Sequence, residues 1–301
     1  MPQEVLDSLP ENQGHPVRHR CAACAYEAGL NEASADIKAL IEQVRVLTEE
    51  NERLNGARAF ELPRDHAPNG LLDEYPDSEF KNLTRSTIAL LAYWRTPETR
   101  LRFLAEELGA PDLVNAVITP EFPTPSMSGK ASFTDLLVES STTAIAIEGK
   151  RNEGRYASVA DWRGDSDNRR RVLDHWCSLI RRRAAFPEDT TLDALVYQMI
   201  HRTASACARP AERAIVLYQI FNQKHLATYE TDLRALVTAI QPSPRLEFWI
   251  HVITPEHTEI YSELERTLAG TRDIERPALV RAALARQDLF RFADVRLTRV
   301  A

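Results

Sequence analysis

At 301 residues, with 44% hydrophobic and 27% charged side chains, the chain is long enough to bury a sizeable core and is ordinary in composition for a globular protein. Its net charge of −7 excludes a broad electrostatic pull on polyanions, while leaving room for a local basic groove. No apolar run approaches the roughly 20 residues that span a bilayer, the first residues have neither a basic start nor an apolar stretch, and four cysteines make no disulfide framework; a cytoplasmic protein without membrane contact is expected.

Residues 1–35 form a polar arm carrying His15, His19, Cys21 and Cys24. Two thiols at knuckle spacing with two imidazoles nearby are a set that tetrahedral Zn²⁺ accepts, although the usual spacing between ligand halves is missing. The alternative is an arm with an incidental Cys-Ala-Ala-Cys. Residues 36–56 carry a heptad: Ile37, Val44 and Asn51 fall at one seam position, and Leu40, Leu47 and Leu54 at the other. β-Branched residues at a, Leu at d and a lone Asn at a favour a parallel two-stranded coiled coil, hence a homodimer paired through residues 37–54. The alternative is one amphipathic helix lying on the main domain. Residues 57–76, with Pro63, Pro68 and Pro76, read as a linker.

From 77 to 301 the pattern is that of a single α/β domain. Helices are expected over 80–94 and 98–108, a Pro-rich loop over 121–130, then strands over 132–139 and 143–150 joined by a tight turn at Ser140 and Ser141. Helices over 167–184 and 192–206 follow. Buried strands over 214–221 and 246–253 flank a helix over 226–240, and helices over 256–268 and 277–287 precede a short terminal strand. The order fits helices around a mixed sheet. Cys177 and Cys207 sit within helical patterns as buried, inert thiols, and Trp162 and Trp176 read as core anchors.

The hairpin carries the chemistry. Asp135 stands early on its first strand, and Glu148-Gly149-Lys150 ends the second. Strand residues two apart share a face, so Glu148 and Lys150 point the same way, and the hairpin can bring Asp135 beside them. Two hard oxygen ligands next to an ammonium suit a Mg²⁺ site for water attack on a phosphodiester. Asp135, Glu148 and the carbonyl of Gly149 would bind the cation. Lys150 would position or deprotonate the water and stabilise charge on the phosphate. A bare Glu-x-Lys at an exposed strand end, making a weak surface pair, reads equally well from pattern alone.

An Asp, a hairpin-length gap and Glu-x-Lys behind an apolar strand, with a helix upstream, resemble the PD-(D/E)XK (restriction-endonuclease-like) nuclease superfamily. The continuation Ile147-Glu-Gly-Lys-Arg-Asn-Glu-Gly-Arg-Tyr156, Trp162, Asn168-Arg169, Val172-Leu173-x-x-Trp176 and Tyr197-Gln-Met-Ile-His-Arg-Thr-Ala-Ser-Ala206 is similar to an uncharacterised bacterial group within it. The likeness runs from about residue 79 to residue 221, and the heptad segment lies outside it. Phe133-Thr134 stands where the superfamily's Pro precedes the Asp. The resemblance implies a restriction-endonuclease-like mixed sheet flanked by helices and cleavage of DNA, with RNA as a further possibility, using Mg²⁺ or Mn²⁺. It also implies an acid from the first core helix, for which Glu79 is the candidate and Glu106 the reserve, and invites a role in restriction or defence against foreign DNA.

Gln198 and Arg202 lie four apart on one helix, so they share a face. Facing the hairpin, Gln198 would bond the reacting water and Arg202 a phosphate oxygen. The alternative is a pair of buried polar residues bonded to a neighbouring loop. Arg151, Asn168 and Arg170 are weaker candidates for nucleic acid contacts, and the runs at 169–171 and 181–183 for a basic patch. The competing function is a non-catalytic nucleic-acid-binding or adaptor protein, dimerised by the heptad, on a degenerate nuclease fold.

Overall fold

The computed structural model describes residues 68–126, 131–187 and 190–301. The heptad segment and the His15, His19, Cys21 and Cys24 cluster lie outside the described residues.

Six strands form one mixed sheet in which spatial order equals chain order. They are β1 (Val117–Thr124), β2 (Ser132–Glu139), β3 (Thr143–Lys150), β4 (Arg213–Ile220), β5 (Leu246–His257) and β6 (Phe290–Arg299). The pairs β1–β2, β2–β3 and β5–β6 are antiparallel, while β3–β4 and β4–β5 are parallel. Parallel neighbours need long crossovers. Helices α4 (Val159–Arg163), α5 (Asp167–Arg181) and α6 (Tyr197–Cys207) supply the first, and α7 (Leu226–Ile240) the second. All four pack on one face with Ala146, Val216, Tyr218, Phe248 and Ile250. The opposite face, carrying Ile145, Ile147, Ile215 and Leu217, is covered by α2 (Ser86–Tyr93), α3 (Pro97–Glu107), α8 (Glu259–Ala269) and α9 (Arg276–Arg286). Strand β3 is therefore covered on both faces, and all eight of its residues are buried.

The hairpin and the helix over 226–240 form where their patterns place them. The turn between β2 and β3 is fixed by Asp112, whose Oδ2 accepts from Ser140 Oγ at 2.6 Å, Thr142 N at 3.0 Å and Thr142 Oγ1 at 2.7 Å. Elsewhere the structure corrects the expectation. The residues assigned to a linker contribute a short helix, α1 (Pro68–Asp73), and Leu71, Leu72 and Tyr75 are core residues. Their apolar side chains bury against the domain, which a proline count does not reveal. The first core helix begins later than residue 80: Asp77–Phe80 is a 3-10 turn and α2 starts at Ser86. The Pro-rich stretch is strand as far as Thr124, because β1 is the sheet edge, where missing N–H groups cost little. Helix α6 begins at Tyr197, five residues later than its pattern, since Ser158 and Val196 form a β-bridge just before it. Strand β5 extends to His257, which delays α8 to Glu259.

Cys177 and Cys207 are buried, and burial pushes their thiols up to about 11 and about 12. Trp162 is sandwiched between Tyr197, at a 5.2 Å centroid distance, and Trp176 at 5.3 Å, the packing expected of core anchors.

A buried polar chain crosses the sheet on the α2–α3 face. Trp94 Nε1 donates to Gln219 Oε1 at 2.9 Å, and Gln219 Nε2 meets His251 Nδ1 at 3.2 Å. Burial, then the Arg100 charge, hold the His251 imidazole down to about 3. An imidazole neutral when folded and protonated below about 6.5 when unfolded withdraws stability as pH falls through that window, at up to about 1.4 kcal/mol per pH unit. Thermal midpoints taken from pH 7 to pH 4.5 should therefore fall less steeply in His251→Gln than in the parent protein. Parallel curves would show that His251 plays no part in acid sensitivity.

Candidate active site

Glu148 and Lys150 continue the face of Ala146 at the C-terminal end of β3, under α6. Lys150 Nζ donates to Glu148 Oε1 at 2.5 Å and sits 4.1 Å from the centre of the Tyr156 ring. From α6, Arg202 reaches the same carboxylate: its Nε donates to Glu148 Oε2, its Nη1 to the carbonyl of Phe133, and its Nη2 to Asp135 Oδ1 at 3.2 Å. The other Asp135 oxygen accepts from the Gly149 N–H at 2.9 Å, and Tyr75 Oη donates to the Asp135 carbonyl at 2.6 Å. Hence Asp135, Glu148, Gly149, Lys150 and Arg202 converge. Glu148 and Lys150 expose only 2% of their side chains and Arg202 3%, whereas Asp135 exposes 22%, so the cluster opens to solvent at Asp135.

This placement follows from local sequence. A Cβ at position 149 would sit 3.4 Å from Leu90, in ordinary contact, which shows how closely α2 packs on the strand end. Helix α6 is buried along its length from Gln198 to Cys207, and its polar residues find partners inward. Thr134 Oγ1 bonds Ser205 Oγ at 2.9 Å, and the ring of the buried His201 packs 5.4 Å from that of Trp176. Burial, then the neighbouring Arg202, keep His201 neutral, so it cannot compete for the carboxylates.

The two carboxylates experience opposite fields. Burial pushes Glu148 up, but Arg202 and Lys150 together outweigh it and hold the group below the usual range. Asp135 is pushed up to about 8 by burial and then by Glu148, because Arg202, Lys150 and the Gly149 N–H offset only part of that cost. Burial acts to discharge Lys150, yet Glu148 more than compensates and keeps the ammonium charged.

Glu79, on the 3-10 turn, is held by Arg85 at 2.9 Å and Thr87 at 2.8 Å, and its charge acts on Glu121. Gln198 is buried one turn before Arg202. Arg151 is tied to the Leu83 carbonyl at 2.6 Å and His257 Nε2 at 2.9 Å, which makes it a strut between elements. Asn168 and Arg170 lie on the first turn of α5, with Arg170 paired to Asp167 at 2.6 Å. The Arg202 guanidinium is sunk between the carboxylates of Glu148 and Asp135. In the basic runs, Arg183 bonds the carbonyls of Arg209, Ala211 and Glu212, and Arg169 that of Trp162.

One acid was missed. Glu121, half-buried on β1 at φ 45°, lies where the ladder passes from Pro120–Leu136 to Phe122–Thr134, opposite Asp135. Burial and then Glu79 push it up to about 7, and Glu148 adds to this. In the sequence it stands between Pro120 and Phe122-Pro123, and its left-handed backbone is visible only in the structure.

The oxygen donors that a hard divalent cation would take here are the Asp135 and Glu148 carboxylates and the Gly149 carbonyl. Among the described residues no group of three or more His, Cys, Asp or Glu side chains is arranged to hold a metal. Among them, too, no helix is long and apolar enough to cross a membrane.

Residues 68–264 match the family model described as a domain of unknown function (DUF6946), about two thirds of the chain. The chain belongs to this family. No curated protein and no solved structure matches it.

Removing Arg202 strands two buried carboxylates, which costs about 3–5 kcal/mol. Arg202→Met should lose that much in urea titrations at pH 8 and less at pH 5. The unpaired acids then carry raised folded pKa values, and their contribution is lost as pH rises. A loss independent of pH would mean that Arg202 acts through packing alone.

Proposed function

We propose that the protein is a metal-dependent nuclease that hydrolyses phosphodiester bonds of DNA on a restriction-endonuclease-like domain. The observation that supports this most is the convergence of Asp135, Glu148 and Lys150 at the end of a strand whose other residues are apolar or small. Burying ions costs several kcal/mol each, and packed apolar residues would serve a core as well or better. Ionisable groups held in that way mark functional sites. The mixed sheet with helices on both faces agrees with the same reading.

A divalent cation at Asp135, Glu148 and the Gly149 carbonyl would polarise the phosphoryl group and acidify a bound water. Lys150, held charged by Glu148, serves to neutralise charge building on the phosphate and not as the base. Arg202 holds the two carboxylates in register and, on leaving Asp135, has a free guanidinium edge for a phosphate oxygen. Gln198, one turn before Arg202 on the same helix, would orient the attacking water. The opening at Asp135 is the side from which a backbone phosphate would enter.

The full chain should cut plasmid, linear or single-stranded DNA in Mg²⁺ or Mn²⁺ and stop on chelation. Asp135→Asn and Lys150→Ala, checked for folding by thermal midpoint, should lose at least about 100-fold in rate. Equal cleavage by parent and variants would assign the activity to a contaminant. No cleavage by a folded parent would remove the enzymatic reading.

A further inference from the structure

The hydroxyl of Tyr218 is a buried polar group that the machinery above does not use. Tyr218 lies on β4 as the register partner of Glu148. Paired residues of adjacent strands project to the same face, so its side chain stands beside Glu148 beneath the helices. The residue is 1% exposed, and among the described residues its Oη has no hydrogen-bond partner. Leaving a buried hydroxyl unmade costs about 1–3 kcal/mol, and phenylalanine, as used at the nearby Phe248, would fill the space without that penalty. Other tyrosines near the site are satisfied: Tyr75 donates to the Asp135 carbonyl and Tyr229 to the Glu153 carbonyl at 2.8 Å.

The charges acting on the Tyr218 hydroxyl identify its surroundings. Besides Tyr229 they belong to Glu148, Arg202 and Asp135, the members of the charged cluster. The oxygen thus lies within their field, yet none of them is close enough to bond it. An uncommitted donor in the field of the Arg202 guanidinium is suited to an oxyanion that the guanidinium also holds.

We propose that Tyr218 is a further binding residue of this site, donating its hydroxyl to a non-bridging oxygen of a phosphate held beside Glu148 and Arg202; the inference rests on the phosphodiester reading above. The hydroxyl is satisfied only when the phosphate is present, so it serves the bound state and not the fold.

Tyr218→Phe separates these roles. Removing a hydroxyl with no internal partner leaves nothing unpaired, so the thermal midpoint of the ligand-free protein should hold or rise. Affinity for inorganic phosphate in Mg²⁺, measured by calorimetry on the full chain, should fall about 5- to 10-fold. A midpoint lowered by several degrees would make the hydroxyl structural and overturn the proposal. So would equal phosphate affinity in the two proteins, or no phosphate binding by the parent. DNA cleavage is followed in parallel: cleavage with Tyr218-independent phosphate binding sinks this contact and spares the nuclease. Tyr218-dependent phosphate binding without cleavage of any nucleic acid does the reverse.

Discussion

The guanidinium of Arg202 is the piece around which the domain's polar interior is arranged. It joins α6 to both strands of the hairpin, through Glu148 on β3 and through Asp135 and the Phe133 carbonyl on β2. Arginine suits this position because its donors are fixed in a plane and can serve several acceptors at once, whereas a lysine would satisfy them as a point charge. Helix α6 can then be buried along its whole length, a state its apolar content alone does not explain. The arrangement also sets a limit. Two acids and two bases share a space from which water is largely excluded, so moving any one of them changes the state of the rest.

That limit explains why neighbouring carboxylates differ so much. Glu148 has a cation on each oxygen and stays charged. Asp135 has one guanidinium contact at 3.2 Å and one main-chain N–H, and burial prevails. The deficit of positive charge therefore falls at Asp135, the one member of the cluster with appreciable solvent exposure, with Glu121 opposite it on the edge strand. An entering cation would be drawn to that side, and Tyr218 faces the cluster from the opposite strand, β4.

Much of this order was legible in the residues. The β2–β3 hairpin could be read because an apolar run, a Ser-Ser turn and a second apolar run alternate with strand periodicity, and because period two put Glu148 and Lys150 on one face. The helix Leu226–Ile240 could be read because its stripe is long and regular. What escaped depended on tertiary partners. Proline-rich β1 is tolerated only because it is the sheet edge, and Leu71, Leu72 and Tyr75 look like linker until the surface they cover is known. Helix periodicity put Arg202 on one face with Gln198 but could not tell whether that face meets the hairpin, nor a guanidinium facing a phosphate from one sunk between carboxylates. Glu79 opens its segment like a helix-start acid, and its bonds to Arg85 and Thr87 depend on the 3-10 turn that its pattern did not reveal.

The central claim is that Asp135 and Glu148 form one cation-binding pocket that Arg202 bridges in the absence of metal. Crystals of the full chain soaked in Mn²⁺ and measured at an energy where manganese scatters anomalously test it directly. The account predicts a peak about 2.1 Å from an oxygen of each carboxylate, with the guanidinium withdrawn from Asp135. A map with no peak there, and Arg202 still joined to both acids, would contradict it.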